Sequence, residues 1–479
     1  MKPSLFADAV ITASQTHDGH SLAQLFAIGG PVAASVLLEL GDARPHRIVS
    51  SLRKCSGYLA SPWEDMCLHH LTALYSFSLA SSLTGYSSDA VDGEGKTRAE
   101  RLGEAFDAYN AAVTAFLRHF ATLTPGRWAI PLLRILCLNL RWLAVQADAA
   151  ALEAIQKPLP PPVNSNSSQA VAAAISNTPT STSSSSTVRT SSIANKKLEE
   201  CARQLNKAFT ACIADRNSEL EESRKWGTYE IVGLVFKTYF RLKSVSLCRN
   251  ILRAINAAVL PELGTFPRSQ QVTFRYYVGV LAFLNEEYDR AEVELESALR
   301  LCHRDATSNQ TLILTYLIPI KLLKGSLPHP ALLDAVGGGK LMAYAPFITA
   351  LRQGDVKTFD SLLTQPNIET WLVKKGTFIA MERAREATLR TLLKRIWLSL
   401  PLLQPSQTRP TRLNLSTLHS ATSCHLVDLR YTIKELEWIL ATLIYKGYVK
   451  GYIAHERGIV VLSAKEAFPR LASVPVTTT

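Results

Sequence analysis

Metal-binding motifs are missing from this sequence. Its eight cysteines, at positions 55, 67, 137, 201, 212, 248, 302 and 424, include no C-x-x-C pair, and none stands beside two histidines at finger spacing. A zinc ribbon or finger is thereby excluded. Scattered cysteines in a chain this long point instead to reduced, buried thiols of a cytosolic or nuclear protein. The eleven histidines contain no H-x-H and no H-E-x-x-H, so the ligands of a metal-dependent isopeptidase are not there. His69 and His70 are adjacent, which on a helix turns their side chains about 100° apart and makes a poor metal pair. No G-x-S-x-G nucleophile elbow occurs. A signal anchor is lacking too. The uncharged stretch from Ser21 to Leu38 is broken by Gly29-Gly30-Pro31 and preceded only by Lys2, which fits two short helices and no membrane segment. No catalytic, metal or cofactor-binding residues are expected.

What is present is a long, basic, foldable chain. It has 479 residues, 47% of them apolar, with 52 Lys and Arg against 40 Asp and Glu for a net charge of +12. That apolar share rules out wholesale disorder, and the length supplies two to four domains. The basic balance favours an acidic partner. The excess is uneven: from Leu341 onward there are 18 basic and 10 acidic residues, so +8 of the +12 lies there.

The clearest boundary is 158–195. It opens with four prolines (Pro158, Pro160, Pro161, Pro162) and continues Ser- and Thr-rich with Arg189 as its single charge. Such a segment buries too little apolar surface to offset its ordering entropy and reads as a disordered insertion. A shorter polar loop spans 86–96. Most of the rest before residue 400 reads as amphipathic helix. Leu102, Phe106, Tyr109, Val113, Phe116, Leu117 and Phe120 recur at spacings of three and four, as do Leu198, Cys201, Leu205 and Phe209, and less strictly Ile231, Leu234, Tyr239 and Phe240. In residues 273–303, Gly279 is followed by Tyr288, Ala291, Leu295, Ala298 and Leu299, which matches much of a 34-residue helix–turn–helix repeat. Ala282 and His303 depart from that pattern, and an ordinary helical hairpin fits as well. Pro319 lies inside a helical run and is expected to kink or break it. Tyr276, Tyr277, Trp371, Trp397 and Trp438 are of a residue type that is mostly core, and some of them could instead anchor a partner; the sequence does not sort them.

The period changes near the C-terminus. A helix at about 416–424 is followed by one opened by the capping-box pair Thr432 and Glu435. Its apolar stripe is Leu436, Ile439, Leu440, Leu443 and Ile444, with Lys446 in its last turn and Gly447 as its cap. Residues 448–453 and 458–463 read as two short strands around a turn. Helix, helix, hairpin is the order of a winged helix. The expected fold is an all-α, TPR-like helical-repeat solenoid followed by a winged helix with a small β-hairpin. Its domains are an N-terminal helical region (1–157), the insertion (158–195), helical repeats (196–400), the winged helix (401–470) and a tail (471–479).

Helical repeats running into a winged helix resemble the PCI domain. Residues 276–325 and 437–463 are similar to one branch, the PCI-domain protein two family, which includes the yeast mRNA-export subunit Thp-one and fungal signalosome-subunit-twelve-like proteins. The likeness covers roughly 196–470. It implies a non-catalytic scaffold subunit that binds a large export-scaffold protein and a small acidic Dss/Sem-type protein; the expected location is the nucleus, with the cytoplasm as an open addition. The acidic partner is expected along the repeats near their junction with the winged module. In the export setting, adjoining winged helices form a surface for RNA or DNA.

The charges are read with that surface in mind. Lys374, Lys375, Arg383, Arg385, Arg390, Lys394 and Arg395 make one basic run, and Arg409, Arg412, Arg430, Lys434, Lys446, Lys450, Arg457 and Lys465 add to it. At this density Lys and Arg neutralise several phosphates, giving salt-dependent binding tolerant of sequence. The candidate nucleic-acid residues are Lys374, Lys375, Arg430, Lys434, Lys450 and Arg457. Against them stand Glu435 and Glu437, at the start of the presumed recognition helix, where a groove reader needs neutral or basic side chains. A scaffold associated with the signalosome or with splicing, binding proteins alone, is the alternative. A third reading, from another class, is a nucleotide-dependent enzyme. Residues 90–97, AVDGEGKT, satisfy a loose phosphate loop at Gly95-Lys96-Thr97, but no apolar strand precedes them and Asp92 and Glu94 place negative charge in the cradle. A surface loop is the better account.

Overall fold

The structure, a computed structural model, describes residues 1–40, 45–55, 57–85, 90–156, 195–217, 219–336, 338–403, 410–425 and 432–475. Nearly all of the expected insertion, 157–194, and residues 86–89 of the polar loop lie outside them. The chain divides into two compact units, Met1–Phe266 and Pro267–Thr479. The division does not fall at the insertion: the helices just after it pack with those just before it.

The first unit is built from α1 (Pro3–Gln15), α2 (Gly19–Leu25), α3 (Pro31–Leu40), α4 (Pro45–Leu52), α5 (Trp63–Ser82), α6 (Arg98–Phe120), α7 (Ile130–Gln156), α8 (Lys196–Ile213), α9 (Thr228–Arg241) and α10 (Ser246–Ala257). The break at Gly29-Gly30-Pro31 falls between α2 and α3, as the sequence requires. All seven stripe residues of α6 are buried. The segment around α7 is long and apolar enough to cross a membrane by composition. In the fold its Leu132, Leu133, Leu136, Leu140 and Leu143 are buried, and it packs on α2, α6 and α8 as the centre of a helical core. Its Asp148 accepts hydrogen bonds from the backbone amides of Lys197 (3.0 Å) and Leu198 (2.9 Å). That carboxylate caps α8 from a neighbouring helix, since Asn195 makes no side-chain cap.

His70 on α5 is fully buried among Phe6, Phe26 and Tyr109, with its ring stacked 5.9 Å from Phe6. Neither ring nitrogen makes a hydrogen bond of normal geometry. Burial pulls its pKa down to about 3, against a smaller opposite pull from the Leu25 carbonyl. The ring is therefore neutral in the fold.

The second unit begins with a helical hairpin, α11 (Arg268–Leu284) and α12 (Tyr288–Leu301). A Cβ on Gly279 would lie 2.7 Å from Leu295 Cγ, so the small residue sets how closely the two helices approach. Tyr288, Ala291, Leu295 and Ala298 are buried and Leu299 half-buried, which is the packing of the repeat pattern. α13 (Thr307–Leu323) packs on α12, and Lys321 and Lys324 each reach Glu292 at 2.5 Å across the pair. Then come α14 (Pro330–Ala335), α15 (Ala345–Gln353), α16 (Val356–Leu363), α17 (Pro366–Lys375) and the long α18 (Phe378–Leu403). α18 packs against α13, α15, α16 and α17. The turn from α15 to α16 passes so close to it that a Cβ on Gly354, at φ +71°, would lie 2.8 Å from Leu392 Cα.

Pro319 does not break its helix; α13 runs through it. Proline withholds the amide that the Thr315 carbonyl, one turn earlier, would accept from. The Tyr344 hydroxyl donates to that carbonyl at 2.8 Å, with both residues buried. A side chain thus replaces the missing backbone donor.

The winged module is β1 (Arg412–Asn414), α19 (Leu415–His425), α20 (Ile433–Tyr445), β2 (Gly451–Ala454) and β3 (Ile459–Leu462). The sheet is antiparallel in the order β1-β3-β2, with Arg412 and Tyr452 both opposite Val461. β1 is an addition to the expected hairpin. β2 starts three residues later than expected, because the amides of Tyr448 and Val449 turn back to the Leu443 carbonyl and close α20. Gly447, at φ +81°, makes that turn.

Two outcomes follow from these buried polar groups. A His pKa depressed by folding leaves stability complete above about 6.5 and removes it as pH falls toward 3, by about 1.4 kcal/mol per pH unit. Denaturant melts between pH 7.5 and 5.5 should show that slope in the wild type and a flatter one in His70→Leu. Tyr344→Phe leaves the Thr315 carbonyl unpaired and should cost about 1–3 kcal/mol. Adding Pro319→Ala, which restores the amide, should recover most of that loss in thermal melts.

Candidate nucleic-acid interface

α20 is opened by the capping box read from the sequence: the Thr432 hydroxyl accepts from the Glu435 amide, and Glu435 Oε2 accepts from the Thr432 amide at 2.7 Å. Its inner stripe of Leu436, Ile439, Leu440 and Leu443 is buried. The opposite face carries Lys434, Trp438, Ala441 and Tyr445 at steps of three and four, all exposed. Trp438 is 71% and Tyr445 84% exposed. Trp438 is therefore no core residue. Its position in the helical period, out of phase with the Leu and Ile stripe, was the signal that placed it outside. Trp371 and Trp397 do lie against neighbours, Trp371 edge-to-face with Tyr344 and Trp397 donating to the Pro410 carbonyl at 3.0 Å.

The turn between β2 and β3 reaches the first turns of α20. His455 Nδ1 lies 2.7 Å from Glu437 Oε1, and Arg457, two residues on, is exposed. Glu437 is one turn from Lys434 on the helix. The two carboxylates that argued against this helix are thus engaged, Glu435 in the capping box and Glu437 with His455.

The six sequence-predicted residues do not form one cluster. Lys434 lies on the outer face of α20 and Arg457 is exposed on the turn that His455 ties to Glu437, and neither has an ion pair among the described residues. Lys450 pairs with Glu466 at 2.6 Å, which offsets its charge. Lys374 and Lys375 end α17, where Gly376 caps the helix at φ +72°; Lys374 is exposed and Lys375 half-buried. Arg430 lies outside the described residues. The basic run of α18 is mostly turned inward. Arg383 pairs with Glu286 and lies over the Tyr288 ring. Arg385 grips Asp360 with two bonds of 2.6 and 2.9 Å. Arg395 donates to the Gln353 carbonyl at 2.7 Å. Arg390 is buried and donates to the carbonyls of Phe468 and Pro469. Burial lowers its pKa from the ordinary arginine range. Lys446 pairs with Glu386 of α18. The Arg390 and Lys446 contacts fasten the winged module to the helical stack, and the others tie the stack to itself.

The loop at Gly95-Lys96-Thr97 has the wrong arrangement for a phosphate. The amides of Glu94 (2.9 Å) and Lys96 (3.0 Å) point to Asp92 Oδ1, and the Thr97 amide points to Glu100 (2.8 Å). Lys96 Nζ reaches Glu104 at 2.5 Å. Arg101, buried beneath the loop, bonds Asp92, Glu94 and Glu104 and, with those amides, holds the Asp92 pKa down at about 2. The loop folds around its own carboxylate and opens α6 through a second capping box, Thr97 with Glu100. Among the described residues no group of three or more His, Cys, Asp and Glu is placed to hold a metal.

Residues 360–464 match the PCI domain, a span that begins at the Asp360 gripped by Arg385 and runs to the end of the winged sheet. The chain is 70% identical over 482 residues to "Protein CSN12 homolog" of Mycosarcoma maydis, covering all of both chains. The chain belongs to the CSN12 homolog family. "Protein CSN12 homolog" of Schizosaccharomyces pombe is 37% identical over 72% of each chain. "PCI domain-containing protein 2" of Danio rerio is 27% identical over 98% of each. The likeness to these relatives thus runs through both units as well as through the PCI segment.

Arg390 tests the attachment of the winged module. Arg390→Met removes the donor to two buried carbonyls and should cost about 2–3 kcal/mol. Limited trypsin digestion should then cut near the module faster than in the wild type, before the first unit melts.

Proposed function

We propose that this PCI-domain protein is a non-catalytic scaffold subunit of a nuclear, transcription-coupled mRNA-export complex, and that its winged module contacts RNA or DNA. The observation that carries the nucleic-acid reading is the exposed face of α20, with Lys434 on it and Arg457 on the adjoining turn, and with Glu435 in the capping box and Glu437 against His455. Cations left free beside an exposed helix suit a phosphate backbone. The partners expected from the family resemblance are a large export-scaffold protein and a small acidic Dss/Sem-type protein along the repeats near the winged module. A groove of about 560 Å³ lies there, lined by Gln353, Leu392, Arg395, Ile396 and Ala421.

The second reading, a signalosome- or splicing-associated scaffold that binds proteins alone, is favoured by the name CSN12 homolog carried by several relatives. Affinity capture separates the two. Export-scaffold peptides support the first, and signalosome subunits without them support the second. A fluorescent fusion tests the nuclear assignment.

Titrating RNA against the full chain at rising salt tests the contact itself. Log K should fall linearly with log salt, and the double variant Lys434→Ala/Arg457→Ala should weaken binding to all sequences alike and reduce the slope by about 2. No binding at low salt removes the nucleic-acid part.

A further inference from the structure

The outer face of α20 is aromatic as well as basic. Trp438 and Tyr445 stand seven residues apart, about 10 Å along the helix axis. That spacing is close to three base rises of stacked nucleic acid. Ala441 lies between them and leaves the gap open. Neither ring takes part in an aromatic pair among the described residues, and both are mostly exposed. Their flat faces are available to a planar partner.

A helix that reads a duplex enters the groove with slim polar side chains and meets base edges. An indole and a phenol along the outward line suit base faces instead, and those faces are free only where a strand is unpaired. Cations stand at one end of this face. Lys434 is one turn before Trp438, and the His455–Glu437 contact brings the turn that carries Arg457 to the same end of α20. Carboxylates stand there too: Glu456 is exposed on that turn, Glu435 is held in the capping box and Glu437 lies against His455. The inner stripe of α20 is fixed in the core, so the two rings are held by a rigid base.

We propose that this face binds single-stranded RNA or DNA by stacking bases on Trp438 and Tyr445, with Lys434 and Arg457 on the phosphates. The proposal rests on the nucleic-acid reading of the winged module and names its substrate class. The face would select unpaired strands and tolerate any sequence, because every base has a π-face.

The test uses the full chain, a 12-nucleotide oligo(U) or oligo(dT), and a duplex of equal length, by fluorescence anisotropy at fixed salt. Wild type should prefer the single strand. Trp438→Ala and Tyr445→Ala should each weaken single-strand binding by about 10-fold, with duplex binding and the salt slope unchanged. Trp438→Phe should keep most of the affinity, and Glu456→Gln should tighten binding to both forms. Unchanged melting temperatures would confirm that these surface variants fold. The proposal is overturned if Trp438→Ala binds the single strand as wild type does, or if duplex binding falls equally. Loss of a protein partner with unchanged nucleic-acid affinity would assign the face to protein and also overturn it. Wild type binding neither form would remove the nucleic-acid reading itself, and the proposal with it.

Discussion

Arg390 lies in the interior of the second unit, halfway along α18, with its guanidinium turned on the carbonyls of Phe468 and Pro469. A buried arginine needs acceptors, and a C-terminal segment without regular structure needs donors; each answers the other. Around this contact Lys446 meets Glu386, Trp397 meets Pro410 and Phe468, and Leu471 packs on Gly325 at the end of α13. The winged module thus has no independent orientation. It sits where α18 holds it, and so does the outer face of α20.

This changes the meaning of the basic C-terminal half. The surplus of +8 after Leu341 looks like a surface for polyanions. Arg383, Arg385 and Arg390 are instead engaged with carboxylates and carbonyls of the unit, and the exposed Arg395 donates to the Gln353 carbonyl. Arginine suits that role because its planar fork satisfies two acceptors at once. What remains for a partner is a smaller set, Lys434 and Arg457 among them, at the end of α20 that carries the exposed Trp438. A few well-placed cations next to stacking rings make a more specific surface than a general positive field.

The helices were legible because burial imposes a local period. Leu102 to Phe120 follow each other within one helix, and the fold needs nothing distant to place them. The capping box at Thr432 was read, while the same pattern at Thr97 was passed over because the neighbouring glycines and lysine suggested a phosphate loop. β1 has three residues and no alternation long enough to detect. The engagement of the α18 arginines leaves no local trace for a different reason. Their partners lie 25 residues away for Arg385, 97 for Arg383 and 78 or 79 for Arg390, and no short-range pattern records such pairings. Residue type leaves Trp438 open between core and partner anchor, whereas its phase on α20 places it outside.

Pro319 and Tyr344 are 25 positions apart in sequence and one hydrogen bond apart in space, through the Thr315 carbonyl. That arrangement imposes an order on change. While position 319 is proline, position 344 must supply a hydroxyl; once 319 regains an amide, 344 is released to drift. The reverse order passes through a state with an unpaired buried carbonyl. The two sites therefore form an ordered step in sequence space, in which the tyrosine arrives before the proline and leaves after it.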